Sequence, residues 1–170
     1  MADPTYDKRV TPVRSQMAAA HLKDRFDRPH YIEGSPARIF VDAAPVHFDP
    51  RPDAEQVTQL LFGEAVSVYD AMEGYAFVQA SNDAYVGWVA ETALLYFDNP
   101  VTHRVHALRS HLYRVPDVKA PVQHSLPMAA QLSVAGFQNG YAVLANGSGA
   151  VPEQHIAPLD KPETDWVAVA

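Results

Sequence analysis

No cysteine occurs anywhere in this chain, and that absence rules out a disulfide framework, a thiolate metal site and a thiol nucleophile. Basic charge is also short: 13 Lys and Arg stand against 20 Asp and Glu, a net charge of −7. A phosphate backbone needs a cationic face, so nucleic acid is not an expected partner. Residues 1–14 are polar and charged, with no apolar run of the length a signal peptide or membrane span requires. The sequence as it stands therefore predicts a cytoplasmic chain with no membrane partner. Serine, histidine and aspartate are all present, but no Gly-x-Ser-x-Gly elbow exposes a nucleophile.

What the chain does have is a repeat. Gly74-Tyr75-Ala76 recurs as Gly140-Tyr141-Ala142, an offset of 66, and Pro50, Leu60 and Ser67-Val68 recur at the same offset as Pro116, Leu126 and Ser133-Val134. Past this point Gly87-Trp88-Val89 and Glu91 align with Gly149-Ala150-Val151 and Glu153 at an offset of 62, so the second copy is four residues shorter in one loop. A period this long with matched turns means two copies of one small domain, predicted at 36–97 and 98–160. Each is near the lower size limit for a self-sufficient core, so each is expected to pack on its neighbour and on the leader as one rigid pair.

The leader, 1–35, reads as an extended arm with Pro4 and Pro12, then a short helix from an N-cap at Ser15 to about Phe26, with Met17, Leu22 and Phe26 on one face. From Arg38 onward, short Val-, Phe- and Tyr-rich runs separated by Pro, Gly and Asn predict strands. In the first copy these are Arg38 to Val41, Pro45 to Phe48, Gln59 to Phe62, Ala65 to Tyr69, Tyr75 to Ala80 and Tyr85 to Val89. A long turn spans Asp49 to Asp53, and hairpin turns lie at Met72-Glu73-Gly74 and Ser81-Asn82-Asp83. The fold class is all-β: two small barrels in tandem, because a flat sheet of this size would leave its edges unpaired.

The run Thr58 to Tyr69, the hairpin Glu73 to Val78 and the strand Tyr85-Val86-Gly87-Trp88-Val89 resemble the bacterial SH3-type domain. More narrowly, they are similar to the first of two such domains that precede the catalytic domain in NlpC-type cysteine peptidases. Those are γ-D-glutamyl-L-diamino acid endopeptidases of the dipeptidyl-peptidase VI kind, which cut peptidoglycan stem peptides. The arm Asp7-Lys8-Arg9-Val10-Thr11-Pro12 also resembles the start of such proteins. The second copy is less similar, since Ala150 stands where tryptophan is usual. The resemblance implies SH3-like barrels, no cofactor, and as partners a C-terminal catalytic domain and stem peptides of the form L-Ala-γ-D-Glu-diamino acid. The missing cysteine implies that this chain is the non-catalytic portion, with 161–170 similar to a linker and the opening of the peptidase domain. A free-standing adaptor holding cell-wall peptide, glycan or a protein partner is the alternative.

Four residues are substrate-binding candidates. The resemblance implies that Glu64 and Tyr85 receive the free amine of the L-alanine, and a carboxylate with an aromatic wall suits an ammonium group. The plainer reading makes Glu64 a solvated turn residue and Tyr85 part of the barrel surface. Glu55 is the competing acid. Trp88, three residues from Tyr85, is expected on the opposite strand face as a packing residue whose indole N–H finds a partner. His103, His106 and His111 do not complete a metal ligand set, and Asn146-Gly147-Ser148 reads as a turn rather than a glycosylation acceptor.

Overall fold

The computed structural model describes residues 5–97 and 99–160. The expected linker at 161–170 lies outside them. Among the described residues seventeen short strands carry the fold. These residues divide into two compact units, one made of 5–39, 43–60 and 64–96, the other of 40–42, 61–63, 97 and 99–160.

The first unit contains β1 (Met17–Ala19), β2 (His30–Ile32), β3 (Ser35–Ile39), β4 (Ala43–His47), most of β5 (Gln56–Leu61), β6 (Ala65–Met72), β7 (Tyr75–Ala80), β8 (Val86–Ala90) and β9 (Leu94–Leu95). Strands β3 to β9 form one sheet in the order β5-β4-β8-β7-β6-β3-β9, curled into a half-barrel of the SH3-like kind. Its core lies inside the curl: Ile39, Val46, Val66, Val78 and Val89 are almost wholly buried. The alternation that predicted β6 is visible in its burial, with Val66 and Val68 inward and Ser67 between them.

The second unit has the same plan. Its strands are β10 (His103–Val105), β11 (Arg109–Tyr113), β12 (Val122–Pro127), β13 (Gln131–Leu132), β14 (Val134–Gln138), β15 (Tyr141–Leu144), β16 (Ala150–Pro152) and β17 (Ile156–Pro158). The sheet order β12-β11-β16-β15-β14, with β13-β10-β17 beside it, repeats the first unit's order with one interruption, because Ser133 splits the equivalent of β6 into β13 and β14. Strands β11 and β12 fall on β4 and β5 at the offset of 66, residue for residue. The short 3-10 turns Glu91–Ala93 and Glu153–His155 match at 62. Even the irregularity repeats: a bulge between Val68 and Asp70 has its twin between Val134 and Gly136. Phe62, Leu112, Leu126, Leu132 and Val151 are the centre of this unit's core.

The leader differs from its sequence reading. Ser15 to Phe26 is not a helix: Met17–Ala19 form β1, paired in parallel with β2, and only Ala20–Leu22 make a single 3-10 turn without a side-chain cap. Met17, Ala18 and Ala19 are all buried. Three consecutive buried positions cannot share one side of a surface helix, whereas a short strand set into a crevice covers both of its faces. Met17 packs with Phe77, Val86 and Trp88, while Leu22 and Phe26 join Val13, Ala18 and Ala19. Hydrogen bonds fasten the arm: Val86 N–H donates to the Arg9 carbonyl at 2.7 Å and the Gln79 amide to the Val10 carbonyl at 3.0 Å.

Candidate binding site

A cavity of about 300 Å³ opens in the first unit. Its barrel side comes from Phe77 on β7, the start of β8 and the turn after β4. Its other side comes from the leader through Tyr6, Lys8, Arg9 and Arg14.

Tyr85 and Trp88 both line this cavity, contrary to the expectation that they face opposite ways. Strand alternation does not govern the pair, because β8 begins at Val86 and Tyr85 still belongs to the preceding turn. Ala84 there has a positive φ of 62°, which redirects the chain just before Tyr85. The Tyr85 N–H is held by the Asp83 carboxylate at 3.0 Å. Trp88 is buried, as a packing residue should be, and lies against Phe77 with ring centroids 5.3 Å apart.

Glu64 sits at the end of the turn before β6 and is half-buried. Its Oε1 accepts a hydrogen bond from the Asn82 side-chain amide at 3.0 Å. Asn82 belongs to the β7–β8 turn that leads to Tyr85, so Glu64 and Tyr85 are joined through one five-residue loop, 81–85. Glu64 does not itself line the cavity, and neither does Glu55. Glu55 is exposed, and its backbone carbonyl accepts the Phe48 N–H at 2.9 Å.

The electrostatics of the cavity come mainly from the leader. Arg14 lies over the Trp88 ring, 4.5 Å from its centroid, and pairs with Asp70. Arg9 is bound by the Asp7 carboxylate through Nε at 3.1 Å and Nη2 at 2.8 Å. Those bonds and the Arg9 N–H hold the Asp7 carboxyl at a pKa of about 2. Burial and the neighbouring Glu33 raise Tyr69, opposed by a hydrogen bond from Ser67. Asp49, the one carboxylate in the lining, lies 3.7 Å from Arg51.

The three histidines are engaged separately: His103 against the Phe137 ring, His106 with the Gln154 carbonyl, His111 against the Tyr113 ring. Among the described residues there is no group of three His, Asp or Glu able to hold a metal ion.

Residues 46–94 match the family described as the bacterial dipeptidyl-peptidase Sh3 domain. That stretch, less than a third of the chain, is similar to this family. It contains all four candidates, Glu55, Glu64, Tyr85 and Trp88, and ends at Leu94, the first residue of β9. Comparison with curated proteins found no match. Among solved structures, an NlpC/P60 family protein from Bacillus cereus ATCC 10987 aligns with a TM-score of 0.57 at 17% identity, covering 72% of this chain and 56% of that one. NlpC2 and NlpC1 from Trichomonas vaginalis align at 14% and 15% identity, each with a TM-score of 0.35. They cover 75% and 80% of this chain and 49% and 50% of their own. The chain thus spans about half the length of these structures, and the first likeness is one of fold.

The arm and its cations were not readable as part of the site. Lys8, Arg9 and Arg14 are far from Tyr85 in sequence, and no periodicity couples them to it.

Proposed function

We propose that this chain is the accessory, non-catalytic module of a cell-wall cysteine endopeptidase of the NlpC type, acting in the cytoplasm on peptidoglycan stem peptides. The first unit contributes to recognition of the free L-alanine amine through Glu64 and Tyr85. The family match over 46–94 supports the module reading, and the absence of cysteine is consistent with chemistry performed on another domain. The observation that carries the amine assignment is the hydrogen bond from Asn82 to Glu64, which ties the carboxylate to the loop bearing Tyr85. A carboxylate oriented by a hydrogen bond meets an ammonium group in a fixed direction.

The test uses the peptidase that carries this chain. Glu64→Gln keeps shape and hydrogen-bonding reach but removes the charge. It is expected to reduce kcat/KM on L-Ala-γ-D-Glu-diamino acid peptides by about 1.5–3 kcal/mol, the range for a hydrogen bond to a charged group. Peptides with an acetylated amine should respond little. An equal loss on both peptides overturns the assignment, and a loss from Glu55→Gln alone moves it to the residue before β5.

A further inference from the structure

We infer that the cavity between the leader arm and the first barrel receives a peptide carboxylate, held by Lys8 and Arg9 of the arm with Tyr85 beside them. This rests on the amine assignment only for the identity of the ligand. The cavity and its charges stand on their own.

The lining contains three cations, Lys8, Arg9 and Arg14, against one carboxylate, Asp49, in a chain whose overall charge is −7. Their states differ. Arg14 is occupied, stacked on Trp88 and paired with Asp70, so it forms the floor rather than the receptor. Asp49 shares Arg51 with Asp53, at 3.7 Å and 3.1 Å respectively. Lys8 has no ion-pair or hydrogen-bond partner among the described residues, and Arg9, 70% exposed in its side chain, has only Asp7. The unspent charge at the mouth is therefore positive. The walls are aromatic and aliphatic, including Phe48, Val57 and Phe77, and a volume of about 300 Å³ suits a fragment of dipeptide size.

The arm cannot swing away cheaply. Its backbone is held to β8 and β7 by the Arg9 and Val10 carbonyls, so the Lys8 side chain can turn toward a ligand while Arg9 is held by Asp7 on the same arm. In the second unit Val143, Gly147 and Ala150 stand at the offsets corresponding to Phe77, Tyr85 and Trp88, so those three aromatic side chains of the cavity have no counterpart there.

The ligand so defined is a short peptide with a free carboxylate. A γ-linked glutamyl peptide qualifies, because the linkage leaves the α-carboxylate unreacted.

The experiment titrates this chain with L-Ala-γ-D-Glu and with the same dipeptide amidated at both carboxyl groups, following amide chemical shifts. Lys8→Gln/Arg9→Gln should weaken the free dipeptide by roughly five- to thirtyfold, the sum of two partly screened charge pairs, and leave the diamide unchanged. Raising the salt concentration should erode the same difference. Asp7→Asn should act oppositely and tighten the free dipeptide, since it releases Arg9 from its only carboxylate partner. Equal binding of dipeptide and diamide by the unaltered chain, an unchanged affinity in the double variant, or no binding at millimolar dipeptide overturns the inference. Glu64→Gln separates it from the amine assignment. If that variant is silent while the arm variants respond, the amine reading fails and this one stands; the reverse pattern reverses the conclusion.

Discussion

The Arg14 guanidinium carbon lies 4.5 Å above the Trp88 ring centroid and 5.8 Å from that of Phe77, while its Nη1 pairs with Asp70 on β6. One side chain thus links the leader to two strands of the barrel and to the bulge beside Asp70. The Arg28 Nε–H donates to the Arg14 carbonyl at 2.7 Å, which fixes the backbone from which the clamp projects.

Arg14→Ala should therefore destabilise the first unit by about 1–2 kcal/mol. The cation–π contact contributes up to ~2 kcal/mol when partly desolvated, and the half-exposed ion pair adds at most ~1 kcal/mol after screening. Arg14→Lys should recover the ion pair but not the planar stacking, and fall between the two. Urea unfolding checks the order: equal stability of the Lys and Ala variants would assign the whole effect to stacking, and no loss in either would show that the arm holds without the clamp.

The two copies also annotate each other's turns. Glu73-Gly74 and Asn139-Gly140 occupy the same hairpin with both residues at positive φ, 54° and 78° in the first, 51° and 76° in the second. Such turns favour Asn before Gly, and glutamate there costs more. Glu73→Asn should stabilise the first unit by roughly 0.5–1 kcal/mol, below the ~1–2 kcal/mol penalty of the left-handed region for an ordinary residue. Gly74→Ala should cost about that penalty and no more, because a Cβ would meet nothing within 4 Å. Gly63 is the contrast within the second unit, at φ +81° with an added Cβ only 1.8 Å from the Gln131 carbonyl oxygen. Gly63→Ala should cost about 3 kcal/mol or more, strain and backbone displacement together. Thermal melts of the three variants give the ranking, and a Gly63→Ala no worse than Gly74→Ala would refute it.

Legibility in the sequence followed locality. The hairpins and the strands around them were readable because Gly-Tyr-Ala and its flanks encode a turn and a two-residue alternation within one window, then do so again 66 residues later. The boundaries of β7, Tyr75–Ala80, follow directly from that pattern. The leader was misread because Met17, Leu22 and Phe26 have roughly helical spacing, while what decides their structure is a distant partner: Met17 meets Trp88, and Ala18 pairs with Tyr31. The relation of Tyr85 to Trp88 was misjudged for a related reason, since alternation was applied one residue outside the strand. A paired exchange is not legible at either position alone. Ala44 and Ala93 of the first copy become Ser110 and His155 in the second, where the Ser110 hydroxyl and His155 Nδ1 are hydrogen-bonded at 2.9 Å. Each polar residue alone looks like surface variation, and only the contact shows that one requires the other.

A pH effect follows from His103 at the start of β10. Burial lowers its pKa from the ordinary 6.5, partly opposed by the Asp160 carboxylate, which favours the protonated ring. The imidazole lies against the Phe137 ring at 5.8 Å, with its Nδ1 2.8 Å from the Thr102 hydroxyl. A histidine whose folded pKa is depressed stabilises the fold as the neutral ring: the contribution is whole above the unfolded pKa and is lost as pH falls through it, because the unfolded chain takes up the proton first. Stability should therefore drop on acidification from about pH 7 to 5, where an ordinary histidine titrates. His103→Phe keeps the ring contact and removes the titration, so its urea midpoint should fall less over the same interval. Asp160→Asn should steepen the drop, since it withdraws the charge that favours the imidazolium. If His103→Phe and the parent chain lose stability in parallel, the acid sensitivity belongs to other titrating groups, the remaining seven of the eight histidines first among them.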